Sequence, residues 1–272
     1  MNIRRLLIPG VLLLFGACVQ DHSAEYPEPS SSAKEVNFRI HSSLSTRAGK
    51  SDFEIGDSIG IYAVKRTTSA TVAVPAIQGN QAHNAKWVKT EDGWKPATPI
   101  DKVVWSQDSS PLDFYAYWPY SREASRPDSI LFAVNVMPDA DVLRAANIQG
   151  LTDGEVELVF QHAFSLVEVE ILGENIDFLP ELAVKAINVN TKTAWNIGTE
   201  TFIHSEDGAT MVDFSVEDVE KRIFRVVLPP QQIAAETPFL QCDNGDIAYI
   251  YTPAESIDLR VGSLQKIRVT LK

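Results

Sequence analysis

Dipeptides that favour tight turns recur along this chain and, more than any other feature, restrict it to a fold of short antiparallel strands. Asp92-Gly93, Asp153-Gly154, Asp207-Gly208 and Asn244-Gly245 each supply a glycine that accepts the positive φ of a short hairpin loop, and Gly56-Asp57 reads as a further tight bend. Period-two runs lie beside these turns. Phe53 and Ile55, then Ile59, Ile61 and Ala63, alternate with polar or small residues on either side of Gly56-Asp57, as two half-buried strands would. Val167, Val169 and Ile171 alternate with Glu168 and Glu170, and Ile267, Val269 and Leu271 with Lys266, Arg268 and Thr270, so each run predicts a strand facing a core on one side. One helix is predicted, over Asp139 to Asn147 behind Pro138, from the spacing of Val142, Leu143 and Ala146. The pattern predicts an all-β chain of two tandem antiparallel β-sandwich domains, over 35–157 and 158–272, with the junction near Glu157.

The first residues carry a different signal. Arg4 and Arg5 precede an apolar run from Leu6 to Phe15 that stops at Gly16-Ala17-Cys18. About ten apolar residues are too few for a permanent span, so 1–17 reads as a removable lipoprotein signal peptide and Cys18 as the acylated, membrane-anchoring N-terminus. An ordinary secretory leader followed by a chance cysteine is the alternative. Residues 18–34, with Tyr26-Pro27-Glu28-Pro29 and three serines, are too polar to pack and read as a flexible tether. Val19 after the anchor favours delivery to the outer membrane, and Asp21 and Glu25 resemble acidic surface-export signals.

With lipid on Cys18, Cys242 is the only cysteine left and no disulfide framework exists, so the fold rests on its own core. A net charge of −12 argues against nucleic acid and against adsorption to anionic lipid.

Enzymatic and ligand motifs fit poorly. Gly56-Asp57-Ser58-Ile59-Gly60 matches G-x-S-x-G, but a nucleophile elbow needs a helix after the serine, whereas Ile59 to Val64 continues as a strand. The five histidines, His22, His41, His83, His162 and His204, are scattered singly, and His162 reads as closing a hairpin or capping the seam between domains. Asp243-Asn244-Gly245-Asp246 lacks the spacing of a calcium loop. The expectation is a protein with no catalytic residue, no metal and no cofactor. Phe114-Tyr115-Ala116-Tyr117-Trp118-Pro119-Tyr120 offers a sugar-stacking platform, although period-two geometry sends at least half of its rings into a core. Asp57-Ser58-Ile59 and Asp128-Ser129-Ile130 resemble short O-glycosylation acceptors.

Five segments in order carry a resemblance. Thr46-Arg47-Ala48, then Phe53 to Tyr62, then Leu112 to Tyr120, then Val159 to Leu166, and finally Leu228-Pro229-Pro230-Gln231-Gln232-Ile233 are similar to the fimbrillin-A and minor-fimbrillin-like (Mfa-like) family of type V pilus subunits. The resemblance implies a pair of transthyretin-like β-sandwiches, surface export as a lipoprotein, and cleavage by an Arg-specific protease after Arg47, leaving Ala48 as the new N-terminus. The strand released would be Glu35 to His41, in which Val36, Phe38 and Ile40 alternate with Asn37, Arg39 and His41. A strand from another pilus subunit would then fill the vacated groove. Shaft subunits of the family carry extra donor strands beyond the last sandwich strand, whereas here Lys272 directly follows Gln265 to Leu271. That departure favours a fimbrial tip or accessory subunit acting in adhesion at the cell outer membrane, unless Gln265 to Leu271 is itself the donor. The alternative is an uncut, lipid-anchored surface protein, either a pilus anchor or one binding a host or bacterial glycan or protein.

Overall fold

The computed structural model describes residues 33–43, 53–134, 141–173, 182–205, 211–243, 245 and 247–271. The chain is all-β. The first half carries β1 (Asn37–Ser42), β2 (Ser58–Lys65), β3 (Ala82–Thr90), β4 (Gly93–Pro96), β5 (Leu112–Trp118), β6 (Ile130–Ala133), β7 (Leu143–Leu151) and β8 (Glu155–His162). There follow β9 (Ser165–Leu172), β10 (Ala183–Ile187), β11 (Lys192–Asn196), β12 (Thr201–His204), β13 (Met211–Asp213) and β14 (Ser215–Asp218). The last are β15 (Ile223–Leu228), β16 (Gln231–Ile233), β17 (Leu240–Asp243), β18 (Ala248–Tyr251), β19 (Ile257–Leu259) and β20 (Leu264–Thr270). A short 3-10 turn spans Pro99–Asp101.

One seven-stranded sheet, in the order β1-β8-β7-β5-β2-β3-β4, dominates the first half. The second half forms sheets β13-β10-β17-β18 and β14-β15-β9-β20, with the smaller β12-β11-β6 and β16-β19. Pairing is antiparallel except at two edges, where β1 runs parallel to β8 and β20 parallel to β9. These partners lie far apart in sequence, so no hairpin imposes their direction.

The turn dipeptides behave as expected where they are described. Gly93 and Gly154 take positive φ between β3 and β4 and between β7 and β8, and Gly245 does so between β17 and β18. Asp207-Gly208 lies outside the described residues.

Three expectations need correction. Phe53 and Ile55 do not form a strand: Phe53 is buried, Ile55 is 68% exposed, and residues 54–57 make a turn that the Asp57 carboxylate closes by accepting the Glu54 N–H at 2.7 Å. β2 is not half-buried, because Gly60, Tyr62 and Val64 are covered as fully as Ile59, Ile61 and Ala63. The helix predicted over Asp139 to Asn147 is replaced by β7, in which Leu143, Ala145 and Asn147 point inward at period two, and Ala146 points out. Residues 139 and 140 are not among those described.

The large sheet is buried on both faces at its centre. Ile59, Ile61, Leu112, Phe114 and Ala116 pack with Val36, Trp87, Trp105, Leu158 and Phe160 on one side. Tyr62, Val64, Tyr115 and Tyr117 pack on the other with Phe164, Trp195 and the strands of the second half. β6 joins the second group through its antiparallel pairing with β11, although it precedes Glu157 in the chain, and Glu157 itself lies within β8. Glycine at position 60 leaves room for the Tyr117 ring, whose hydroxyl donates to Asn84 Oδ1 at 2.8 Å.

Two buried polar clusters fix this arrangement. Asp113, fully buried on β5, accepts from Arg66 Nε at 2.9 Å and Nη2 at 2.8 Å, and from the backbone N–H of Ala73 at 2.8 Å and Gly150 at 3.1 Å. It thereby ties the loop after β2 to the end of β7. At the end of β8, His162 Nδ1 pairs with buried Asp141, whose pKa burial pushes upward. The two line a small cavity with Phe164, Leu166, Val227, Gly262 and Ser263, so His162 sits on the seam, where β8 of the large sheet meets β9, β15 and the turn before β20.

Candidate functional site

The apolar alternation Val36-Phe38-Ile40 is spent inward. Val36 is 2% exposed, and Phe38 and Ile40 are half-buried against the core of the large sheet. The Phe38 ring meets Trp87 edge-on at 5.0 Å and Phe114 at 5.6 Å. Trp105 packs edge-on against the same Phe114 ring at 5.8 Å, so these three rings form the floor on which β1 lies.

Backbone pairing holds the strand from both ends. Asn37 to Ser42 register with Glu155 to Phe160 of β8, and Ser43 N–H extends the ladder to Phe160 O at 3.0 Å. Before the strand, Val36 N–H donates to Val103 O at 2.8 Å and Trp105 N–H to Lys34 O at 2.9 Å, while Glu35 pairs with Lys102. The other side of β8 is in register with β7 at its C-terminal end, Leu143↔His162 and Arg144↔Gln161. Asn147 Nδ2 donates to Glu157 O at 3.1 Å further along.

Outward-facing residues form a row of charge. Arg39 reaches Glu155 at 2.7 Å and His41 Nε2 lies 3.7 Å from Glu157, all four side chains being about half exposed. Each such surface pair contributes little alone.

Sequence reasoning found the inward residues of this site and missed its walls. Trp87, Trp105 and the acidic row on β8 come from distant segments, and only the repetition of Glu-Val-Glu at 155–157 and 168–170 could have pointed to the last of these. Arg47 and Ala48, expected to carry the processing bond, and Cys18, expected to carry lipid, lie outside the described residues.

The other candidate residues resolve into structural positions. Ser58 opens β2, which runs on as a strand to Lys65 instead of entering a helix. Phe114, Tyr115 and Tyr117 are each at most 3% exposed, so the aromatic run supplies the two cores and presents no ring platform on these side chains. Gln265 to Thr270 pairs within its own half of the molecule, on β9. Cys242 is fully buried on β17, and burial pushes its thiol up to about 11.

Comparison with known proteins agrees with this architecture. The profile of the family described as fimbrillin-like matches residues 46–272. A Bacteroides uniformis protein described as "Putative fimbrium subunit Fim1C" is 26% identical over 199 residues, which cover 69% of this chain. The chain spans 62% of the length of that curated relative. A crystal structure described as a "putative cell adhesion protein" from Bacteroides uniformis superposes with a TM-score of 0.63 at 20% identity, covering 86% of this chain and 93% of the other. Another, from Bacteroides ovatus and described in the same words, gives 0.62 at 16% identity, covering 88% and 91%. At those identities the likeness shows a shared fold. The profile match, running from Thr46 to Lys272, shows that the chain belongs to the fimbrillin-like family.

Proposed function

We propose that this protein is a non-catalytic fimbrial tip or accessory subunit in which β1 is a provisional strand. Lipid on Cys18 anchors it at the outer membrane, cleavage after Arg47 frees Glu35 to His41, and a strand from another subunit takes the vacated place beside β8. The observation that carries this reading is the position of β1: a sheet edge, joined in parallel to a strand more than a hundred residues away, so that its departure interrupts no hairpin. The remaining order β8-β7-β5-β2-β3-β4 is contiguous without it.

The energetics suit an exchangeable element. Fully burying a Val, Ile or Phe side chain contributes about 1.5–3 kcal/mol, and halving that for Phe38 and Ile40 gives roughly 3–6 kcal/mol for the three inward residues. That holds the strand in an intact subunit but lies within reach of a longer or better-filling competitor. β20 occupies a ladder of its own over seven residue pairs, which supports a receiving more than a donating role.

The test is proteolysis of the exported protein. An Arg-specific protease is expected to leave Ala48 as the N-terminus and to permit association with partner subunits, and Arg47→Ala is expected to block both. Resistance of the Arg47-Ala48 bond in the folded protein would defeat the cleavage step and favour a permanently anchored protein.

A further inference from the structure

The slot beneath β1 has a counterpart in the second half of the molecule. β20 lies on β9 as β1 lies on β8, each an edge strand running parallel to its neighbour. The receiving strands share a tetrad, Glu155-Val156-Glu157-Leu158 in β8 and Glu168-Val169-Glu170-Ile171 in β9. The edge strands share a triplet, Phe38-Arg39-Ile40 in β1 and Ile267-Arg268-Val269 in β20.

Their registers coincide as well. Phe38 stands opposite Val156 as Ile267 stands opposite Val169, and Arg39 opposite Glu157 as Arg268 opposite Glu170. In both places basic side chains of the edge strand are joined by charge to acidic ones of its neighbour: Arg39 to Glu155 at 2.7 Å, Lys266 to Glu168 at 2.7 Å and Arg268 to Glu170 at 2.8 Å, although Glu168 is buried where Glu155 is half exposed.

We infer that Glu155 and Glu157 determine which strand the β8 slot accepts: a protein segment that runs parallel to β8, with apolar side chains inward and basic ones outward. This rests on the strand-exchange reading above. The inward wall of Trp87, Phe114, Val156 and Leu158 is apolar and accepts many alternating strands, so it cannot discriminate among them. The outward row can. Glu155 and Glu157 are already 52% and 57% exposed with β1 in place, and its departure uncovers them further, on a chain of net charge −12. An acidic strand then places a like charge directly opposite Glu157 at position 39 and a second one diagonal to it at position 41, and a basic strand is drawn in. Summed over two cross-strand positions, basic and acidic donors should differ about tenfold in affinity, chiefly through association rate and diminishing with salt.

The experiment uses the full chain cut with an Arg-specific protease, with loss of the residues up to Arg47 followed by mass spectrometry. Binding of a labelled peptide of residues 33–43 is compared with that of the same peptide carrying Arg39→Glu and His41→Glu. The native peptide is expected to bind about tenfold tighter at low salt, with the advantage shrinking at high salt. Glu155→Lys with Glu157→Lys in the protein should reverse the preference, and Glu155→Gln with Glu157→Gln should abolish it while keeping the fold. Equal affinity for both peptides overturns the inference and leaves strand exchange standing. Binding of neither peptide to a chain that has lost its early strand overturns strand exchange itself, and this inference with it.

Discussion

Phe38→Ala separates a strand that leaves by itself from one that leaves only when the molecule unfolds. The substitution removes a half-buried ring and its two edge-on contacts, to Trp87 at 5.0 Å and Phe114 at 5.6 Å. A fully buried Phe→Ala costs about 3–5 kcal/mol, and half burial brings this to about 2 kcal/mol, of which the two aromatic pairs supply roughly half. If β1 opens as a unit of its own, that loss falls on its local opening equilibrium and speeds exchange of the protected β1 amides by roughly thirtyfold. Native-state hydrogen exchange read by mass spectrometry resolves β1 from β2 and β5. Those central strands keep their neighbours on both sides and should exchange at unchanged rates. Equal acceleration of all three would mean that β1 opens only with global unfolding, and the argument for a separable strand would fail.

Three further outcomes follow from the interior. Asp113→Ala leaves the N–H groups of Ala73 and Gly150 without their acceptor and should destabilise by roughly 2–4 kcal/mol in denaturant titration, with Asp113→Asn milder. At Glu168, burial acts to raise the pKa, but the hydrogen bonds and charges of Lys266 and Arg225 together outweigh it and hold the carboxyl below its ordinary range. Its stabilisation is therefore complete above an unfolded-state value of about 4.3 and lost as pH falls through the lower folded value, so Glu168→Gln should flatten the acid limb of the stability curve. Cys242, with its thiol pushed up to about 11, should resist alkylation at pH ~8 in the native protein and react only on unfolding.

What could be read in advance was local. The alternation in Val36-Phe38-Ile40 and in Ile267-Val269 predicted which side chains enter a core, because a strand with one wet face writes its period directly into the sequence. β2 misled for the complementary reason: Tyr62 and Val64 are as apolar as Ile59 and Ile61, and a strand covered on both faces has no period to read. The sequence of β7 imitates a helix because Val142, Leu143 and Ala146 fit a helical face, while the inward Asn147 obscures the alternation. The partner of β6, the parallel direction of β1 and the floor of Trp87 and Trp105 depend on pairings between distant segments, for which one sequence holds no signal.

The central claim, that β1 must leave before another chain can enter, is tested most directly by preventing its departure. Arg39 and Glu157 are opposite in the β1 and β8 ladder, so Arg39→Cys with Glu157→Cys places two thiols for a disulfide across it, while Cys242 stays buried and unreactive. After cleavage at Arg47, the oxidised protein should remain unable to bind a partner subunit's strand, and reduction should restore binding. Equal strand capture by the locked and reduced forms would contradict the account.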